Sequence, residues 1–296
     1  MDAEDRPYAA LRDRLVGFEG VIMLLGVADT GKTELAKLIV ADAVANGSTV
    51  AFVDGDVDSE LAGPPTTTGL KYVSDLADLS PDVPPEEMRF VGSTTPQGVV
   101  LPHVVAVASL VKLARPNADV IIVDTSGVVT GVVGQTLKYH LAELIQPDLV
   151  VALQRGEELE PTTGMLRRFL SMKIATVEPA PEVETPSPVD RQERRAKAFA
   201  GALTPPLQRW RVQTTVFAPT LPDGFDPERL NGMLVGVLDD QGRCLGLGAL
   251  EHDNGVLRVA THFGDAMRGL RLGSMRIDLE TFETKRVRLR QLIFGI

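Results

Sequence analysis

The sequence predicts an α/β fold: a P-loop NTPase-type, doubly wound parallel sheet followed by a small C-terminal β domain. Three observations predict it. The run Gly26-Val27-Ala28-Asp29-Thr30-Gly31-Lys32-Thr33 lies between an apolar stretch and a helix-like stretch. From residue 21 to about 202, short runs rich in Val, Ile and Leu alternate with longer helical segments. Beyond Pro205-Pro206 the texture changes to Gly-rich turns and short β-like runs with no long amphipathic helix.

The elements follow in order. Residues 1–19 read as a short amphipathic helix. Strands are expected at 21–25, 50–54, 89–92, 120–124, 149–153 and 174–178, where the apolar runs are nearly continuous, as in a sheet buried on both faces. Helices are expected at 34–45, 101–113 and 136–145. The proline-rich stretch 179–188 reads as a loop into a charged helix, 190–202. Domain one is then 1–204, a P-loop domain including that helix, and domain two is 205–296. In domain two, β-like runs stand at 234–238, 256–260 and 275–279.

Bulk properties narrow the class. Of 296 residues, 44% are hydrophobic and 24% charged, ordinary for a soluble globular chain. No apolar run approaches the roughly 18–20 residues that span a bilayer. The acidic start, Met1 to Asp5, lacks the basic region of a secretory signal, so a cytoplasmic location is expected. The single cysteine, Cys244, cannot form an intrachain disulfide and reads as a structural strand residue. A net charge of −10 argues against broad nucleic-acid binding by the whole surface. The charge is uneven: residues 205–296 hold 12 basic and 11 acidic side chains, against 18 and 29 in residues 1–204. Any polynucleotide must therefore meet local basic clusters.

The motif at 26–33 is G-x-x-x-x-G-K-[ST] in a strand–loop–helix context. Its backbone N–H groups can turn around a phosphate, and the helix N-terminus adds positive charge there. Lys32 can reach the β and γ phosphates and Thr33 can hold Mg²⁺. Gly26, Asp29, Thr30, Gly31, Lys32, Thr33 and Glu34 are the candidate nucleotide contacts. No N-K-x-D segment follows strand 149–153, which favours ATP over a guanine nucleotide.

Asp54-Gly55-Asp56 ends the second strand, where the crevice of a doubly wound sheet lies. Its two carboxylates can share the work of holding hydrated Mg²⁺ and accepting a proton from an attacking hydroxyl. Asp124 ends the strand before Thr125-Ser126-Gly127, a Walker-B-like position able to take a metal-bound water; these residues also suit a helix cap. Thr33, Asp56 and Asp124 are the candidate metal residues. Gly92-Ser93-Thr94-Thr95-Pro96 can hold an acceptor phosphate or simply cap a helix. On 190–202, Arg191 and Arg195 lie four apart on one face with Arg194 beside them, either a mobile lid over phosphates or a solvated charged helix. His103 and His140 lack metal-ligand partners and read as core or surface residues. Trp210 reads as a packing residue between the domains. The basic and apolar alternation at 285–290 suits an edge strand with one solvated face or a contact with a nucleic-acid backbone.

Taken together, GVADTGKT, DGDVDSELAGPPTTTG, FVGSTTP, VDTSGVVTG, PDLVVALQRGEEL and DRQERR resemble, in order, the motifs of the polynucleotide 5′-hydroxyl kinase family. That family includes archaeal RNA kinases and the kinase-like subunit of eukaryotic pre-mRNA cleavage factor. MLVGVLDDQGRCLGLGAL is similar to its β domain, so the resemblance spans nearly the whole chain. It implies ATP- and Mg²⁺-dependent phosphorylation of the 5′-OH of RNA or DNA, and hence a nucleic-acid partner with a 5′-OH end and no membrane. Lys32 and Thr33 then serve phosphates and metal, and Asp56 activates the hydroxyl. Asp54, Ser93, Thr94 and Thr95 lie on the substrate side, Thr125, Ser126 and Gly127 form a clasp near Lys32, and Arg191, Arg194 and Arg195 form the lid. Three positions depart from the family: Asp58-Ser59 replaces Gly-Gln, Val128 replaces an aromatic residue, and Val189-Asp190 precedes Arg191 in place of a clear arginine–serine pair. The departures at Ser59 and Val128 motivate one competing expectation, a non-catalytic ATP-binding scaffold of an RNA-processing assembly; a P-loop ATPase or small-metabolite kinase is a third, which a closed small pocket would support and a basic lid over an open groove would oppose.

Overall fold

Parallel strands buried on both faces must be covered by helices on both sides, and the first part of the chain does this. The computed structural model describes residues 8–180, 186–222 and 224–294. The chain divides into two compact units, one built from residues 1–63, 68–87 and 95–186, the other from 64–67, 88–94 and 187–296.

In the first unit, α1 (Ala9–Arg14) leads into β1 (Gly20–Gly26), α2 (Lys32–Ala45) and β2 (Val50–Gly55). Then come β3 (Thr67–Val73), β4 (Glu87–Phe90), whose residues from Met88 on belong to the second unit, α3 (Val100–Ala114), β5 (Val120–Thr125), α4 (Gly131–Ile145), β6 (Leu149–Leu153), α5 (Glu160–Leu170) and β7 (Ile174–Val177). Six strands run in the order β3-β2-β5-β1-β6-β7. All of these pairings are parallel except β2 with β3. Successive side chains of β1 alternate between two cores. Val21, Met23 and Leu25 pack with α3, α4 and α5 through Val107, Leu110, Leu137, Leu141 and Leu166. Ile22 and Leu24 pack with α1 and α2 through Leu11, Leu35, Ile39 and Val40. Arg12 ties α1 to α2 by a two-pronged pair with Asp42, at 2.6 and 2.7 Å.

All six expected strands and all of the expected helices of this region form, with small changes at the ends. The expected helix over 1–19 is shorter, with only α1 helical; residues 1–7 lie outside the described residues, as do 181–185 of the expected proline-rich loop. Two elements lie outside the expected set, β3 and α5. In β3, Lys71 is buried and its ammonium donates to the carbonyls of Asp78 and Ser80, at 2.9 and 2.7 Å. A charged residue in a buried strand hides the apolar pattern by which a strand is read.

The second unit holds α6 (Pro188–Ala202), β8 (Gln208–Arg211), β9 (Met233–Leu238), β10 (Cys244–Asp253), β11 (Val256–Thr261), β12 (Gly269–Ile277), β13 (Thr284–Arg286) and α7 (Leu289–Phe294). Six strands form a second sheet, β13-β12-β9-β10-β11-β8, with antiparallel pairings throughout. One face buries Phe217, Leu230, Val235, Val237, Val259 and Leu292. The other buries Phe90, Phe199, Leu203, Leu234, Leu247 and Met275, so α6 is rooted in this unit. Gly236 is required beneath Phe90, since a Cβ there would sit 2.4 Å from the ring. Cys244 is a buried strand residue, as expected, and burial pushes its thiol up to about 12. Trp210 packs against the second unit's own core. The expected edge strand at 285–290 is only partly one: β13 ends at Arg286, and Leu289, Leu292 and Ile293 then follow helical spacing into α7.

The hairpin that returns β2 into β3 brings Ala62 onto Gly69, where a Cβ would lie 1.7 Å from the Ala62 carbonyl oxygen. Backbone cannot move aside as a flexible side chain can. Gly69→Ala should therefore destabilise the chain by about 3 kcal/mol or more. Urea melts check this, and an unchanged midpoint would show that the close approach is not a constraint.

Candidate functional site

In a doubly wound sheet the strand C-termini face the ligand crevice. Here β1, β5 and β2 are neighbours, and their register aligns Asp54 with Asp124 and Gly55 with Thr125. The loop after β1, the Asp54–Asp56 turn and the Thr125–Gly127 segment therefore emerge side by side. All belong to the first unit.

The loop after β1 is shaped by two left-handed residues, Asp29 (φ 58°) and Gly31 (φ 81°), and Gly31 caps α2. Gly26 is needed because a Cβ would meet Thr30 Oγ1 at 2.5 Å. The Thr30 hydroxyl donates to the Val27 carbonyl at 2.9 Å. Lys32 is buried, and its Nζ donates to the same carbonyl at 2.7 Å. The lysine is thus folded back on the loop it opens from. Glu34 is exposed and pairs along the helix with Lys37 at 2.9 Å.

Thr33 Oγ1 donates to Asp124 Oδ2 at 2.6 Å. The other carboxylate oxygen of Asp124 is buried with no hydrogen-bond partner. Burial raises the Asp124 pKa, against the pull of Lys32 and the Thr33 hydrogen bond. An orphaned buried carboxylate oxygen is costly unless something fills its place. Among the described residues no group of three or more His, Cys, Asp and Glu side chains could hold a metal ion.

Asp54 turns inward. Its oxygens accept from the Asp56 and Ala62 amides, each at 3.2 Å, and from the Ser59 hydroxyl. Burial lifts its pKa to about 7; the Ser59 hydrogen bond opposes the rise, and Asp124 and Asp56 add to it. Asp56 is half-buried, and one oxygen accepts from the Asp58 amide at 3.1 Å, closing a local turn. His103, on α3, is fully buried and donates from Nε2 to the Gly55 carbonyl at 2.7 Å. Burial pushes its pKa down to about 4. It is a core residue, as expected, yet it fixes the peptide next to Asp56. His140 is exposed and pairs with Glu143.

Thr125, Ser126 and Gly127 lie against the loop after β1. Thr125 Oγ1 donates to the Leu24 carbonyl at 2.6 Å. Ser126 Oγ accepts from the Val128 amide at 3.3 Å. Gly127 touches Ala28 so closely that a Cβ would stand 2.5 Å from the Ala28 nitrogen. Ser93 and Thr94 are buried within the second unit, while Thr95 belongs to the first, where its hydroxyl contacts Gln97. Arg191, Arg194 and Arg195 stand on α6 in the second unit; Arg194 is exposed and the other two half-exposed. The helix start is fixed by a reciprocal cap between Ser187 and Asp190.

One residue of this neighbourhood lies outside the sequence expectations: Lys138, on α4. It is fully buried and donates to Thr125 Oγ1 at 2.7 Å and to the Ser126 carbonyl at 2.5 Å. Burial lowers its pKa to about 7, with Lys32 adding to the fall and Asp56 and Asp124 opposing it. The signal was present in the sequence. Lys138 shares a helical face with Gly134, Leu141, Ala142 and Ile145, all buried.

With this geometry in place, similarity to known proteins becomes informative. Residues 26–201 match the family model described as mRNA cleavage and polyadenylation factor CLP1 P-loop. The polyribonucleotide 5′-hydroxyl-kinase of Pyrococcus furiosus is 27% identical over 345 aligned residues, covering 99% of this chain and 91% of that protein. That of Methanocaldococcus jannaschii is 27% identical over 317, covering 87% of each. That of Thermococcus kodakarensis is 28% identical over 326, covering 92% of each. Among solved structures, the wild-type Clp1p–Pcf11p (454–563) complex is similar in fold, with a TM-score of 0.66 and 12% identity over 90% of this chain and 77% of that one.

The buried imidazole carries a pH signature. Its folded pKa of about 4 lies below the ordinary 6.5, so the unfolded chain takes up the proton first. The stability His103 contributes is present above pH 6.5 and is lost as pH falls toward 4. Against His103→Gln, wild type should lose on the order of 3 kcal/mol more stability over that range. Denaturant melts at both ends measure it; parallel curves for the two proteins would refute the buried neutral imidazole.

Proposed function

The chain belongs to the mRNA cleavage and polyadenylation factor CLP1 P-loop family, and from that footing we propose that it is an ATP-dependent polynucleotide 5′-hydroxyl kinase. It would transfer the γ-phosphate of ATP to the 5′-OH of RNA, DNA or both. The observation that carries this reading is the meeting of a phosphate loop, the Thr33–Asp124 pair and a half-buried Asp56 at the ends of three neighbouring strands. The curated relatives are named polyribonucleotide 5′-hydroxyl-kinases, which supports the same reaction.

In this reading the loop amides and Lys32 receive the phosphates of ATP, with Gly26, Asp29, Thr30, Gly31, Thr33 and Glu34 as the nucleotide-side residues. Lys32 must first leave the Val27 carbonyl, and the γ-phosphate replaces that acceptor. Asp56 orients the 5′-OH and takes its proton as the new O–P bond forms and the bond to the β-phosphate oxygen breaks, releasing ADP. The orphaned Asp124 oxygen beside Thr33 fits a hydrated divalent ion. Thr33, Asp124 and Asp56 would hold Mg²⁺, which supplies neutralisation of phosphate charge. Ser93, Thr94, Thr95 and Arg194 are assigned to the acceptor side by the family resemblance, and Thr125, Ser126 and Gly127 to the clasp near Lys32; Asp54, capped by the amides of its own loop, would hold the turn that presents Asp56. Arg191 and Arg195 are assigned by the same resemblance to stabilising charge during transfer. For this activity we propose a P-loop domain and a β-rich domain, with the expected boundary between 1–204 and 205–296 moved so that α6 goes with the second. No helix among the described residues is long and apolar enough to cross a membrane, and a cytoplasmic site of action is part of the proposal.

A second reading, a non-catalytic ATP-binding scaffold, is favoured by Ser59. It stands where the family has a glutamine, and its hydroxyl is spent on Asp54. Turnover separates the two. Incubation with ATP, Mg²⁺ and 5′-OH oligonucleotides of both kinds should yield 5′-phosphorylated product. Asp56→Asn should lower kcat by about 10²–10⁴-fold with ATP affinity retained. Absence of product on every RNA and DNA tried would sink the kinase reading, and an Asp56→Asn protein as active as wild type would remove Asp56 from its role.

A further inference from the structure

A lysine placed on the buried face of a helix is costly unless its ammonium is met by acceptors. A methionine would fill the same length of core without that cost. Lys138 is fully buried among the α4 residues that pack into the first core, yet its ammonium meets two oxygens, Thr125 Oγ1 and the Ser126 carbonyl. Both acceptors lie at the end of β5, where the chain passes against the phosphate loop on its way to α4. Thr125 passes the link on, donating to the Leu24 carbonyl of β1 at 2.6 Å. The next residue after Ser126 is Gly127, seated on the backbone of Ala28. Ala28 adjoins Val27, whose carbonyl gathers both Thr30 and Lys32. One ammonium thus connects α4, β5, β1 and the loop that would cradle phosphate.

We propose that Lys138 is a positioning residue of the phosphate site: it clamps the Thr125 side chain and the Ser126 carbonyl so that Gly127 stays on Ala28 and the loop keeps its donor-binding shape. The proposal rests on the ATP-binding part of the reading above. Lys138 touches no reacting atom. Its effect is carried by the backbone of 125–127, so it falls on the donor and leaves the acceptor alone.

Lys138→Met keeps the length and removes the ammonium. Full-length Lys138→Met should fold, with a cooperative melt, and bind ATP roughly ten- to a hundredfold more weakly by calorimetry. Its KM for a 5′-OH oligonucleotide should stay within about twofold, a split that a general packing defect would not give. Lys138→Gln retains a donor and should fall between the two; it carries the test alone if Lys138→Met does not fold. A folded variant with wild-type ATP affinity overturns the proposal, as does one in which donor and acceptor constants worsen together. Wild type that binds ATP but phosphorylates nothing would overturn the kinase reading and leave the ATP titrations as the test of Lys138. Wild type that binds no ATP would overturn both.

Discussion

Charge buried at the ends of three parallel strands is the constraint on which the rest of this structure depends. Asp54, Asp124 and Lys138 are each almost wholly removed from water. A sheet covered on both faces offers them no solvent, so each must find its partners in the chain. Asp54 finds them in the amides of its own loop, which shapes the turn that presents Asp56. Asp124 finds one partner in Thr33 and leaves one oxygen open. Lys138 finds two oxygens at the end of β5, on Thr125 and Ser126. The same satisfaction that makes burial tolerable fixes three loops relative to one another, as a preorganised site requires.

Close backbone approaches complete that fixing. Gly127 on Ala28 and Gly69 on Ala62 both bring main chain against main chain where no side chain would fit. The first brings the segment after β5 onto the phosphate loop. The second folds the Asp56-bearing connection onto β3. The first joins two segments far apart in sequence and the second closes a short connection, and each depends on a glycine whose need comes from its neighbour and not from its own φ. In the second unit the same logic appears once more, where Gly236 leaves room for the Phe90 ring in the core that also roots α6.

Much of this was legible in the sequence, and for physical reasons. The phosphate loop is written in contiguous residues, since one tight turn forms it. The parallel strands announce themselves because burial on both faces demands unbroken apolar runs. What was hidden had a polar residue where the pattern wanted an apolar one. Lys71 concealed β3, and Lys138 passed unnoticed on an otherwise apolar face of α4. Residues 285–290 misled in the opposite way. Three residues of alternation fit a strand, but Leu289, Leu292 and Ile293 already carried helical spacing. The partners of Asp54 could not be read at all, because a carboxylate that caps its own loop looks in sequence like one that faces substrate.

In the proposed reaction this buried frame holds two substrates, with Lys32 on the donor and Asp56 on the acceptor. A crystal structure of the protein with Mg²⁺, a non-hydrolysable ATP analogue and a 5′-OH dinucleotide tests it most directly. Lys32 Nζ should have moved from the Val27 carbonyl to the phosphates, and the 5′ oxygen should lie about 3 Å from an Asp56 carboxylate oxygen. Nucleotide bound with Lys32 still on Val27, or a 5′ oxygen out of reach of Asp56, would contradict it.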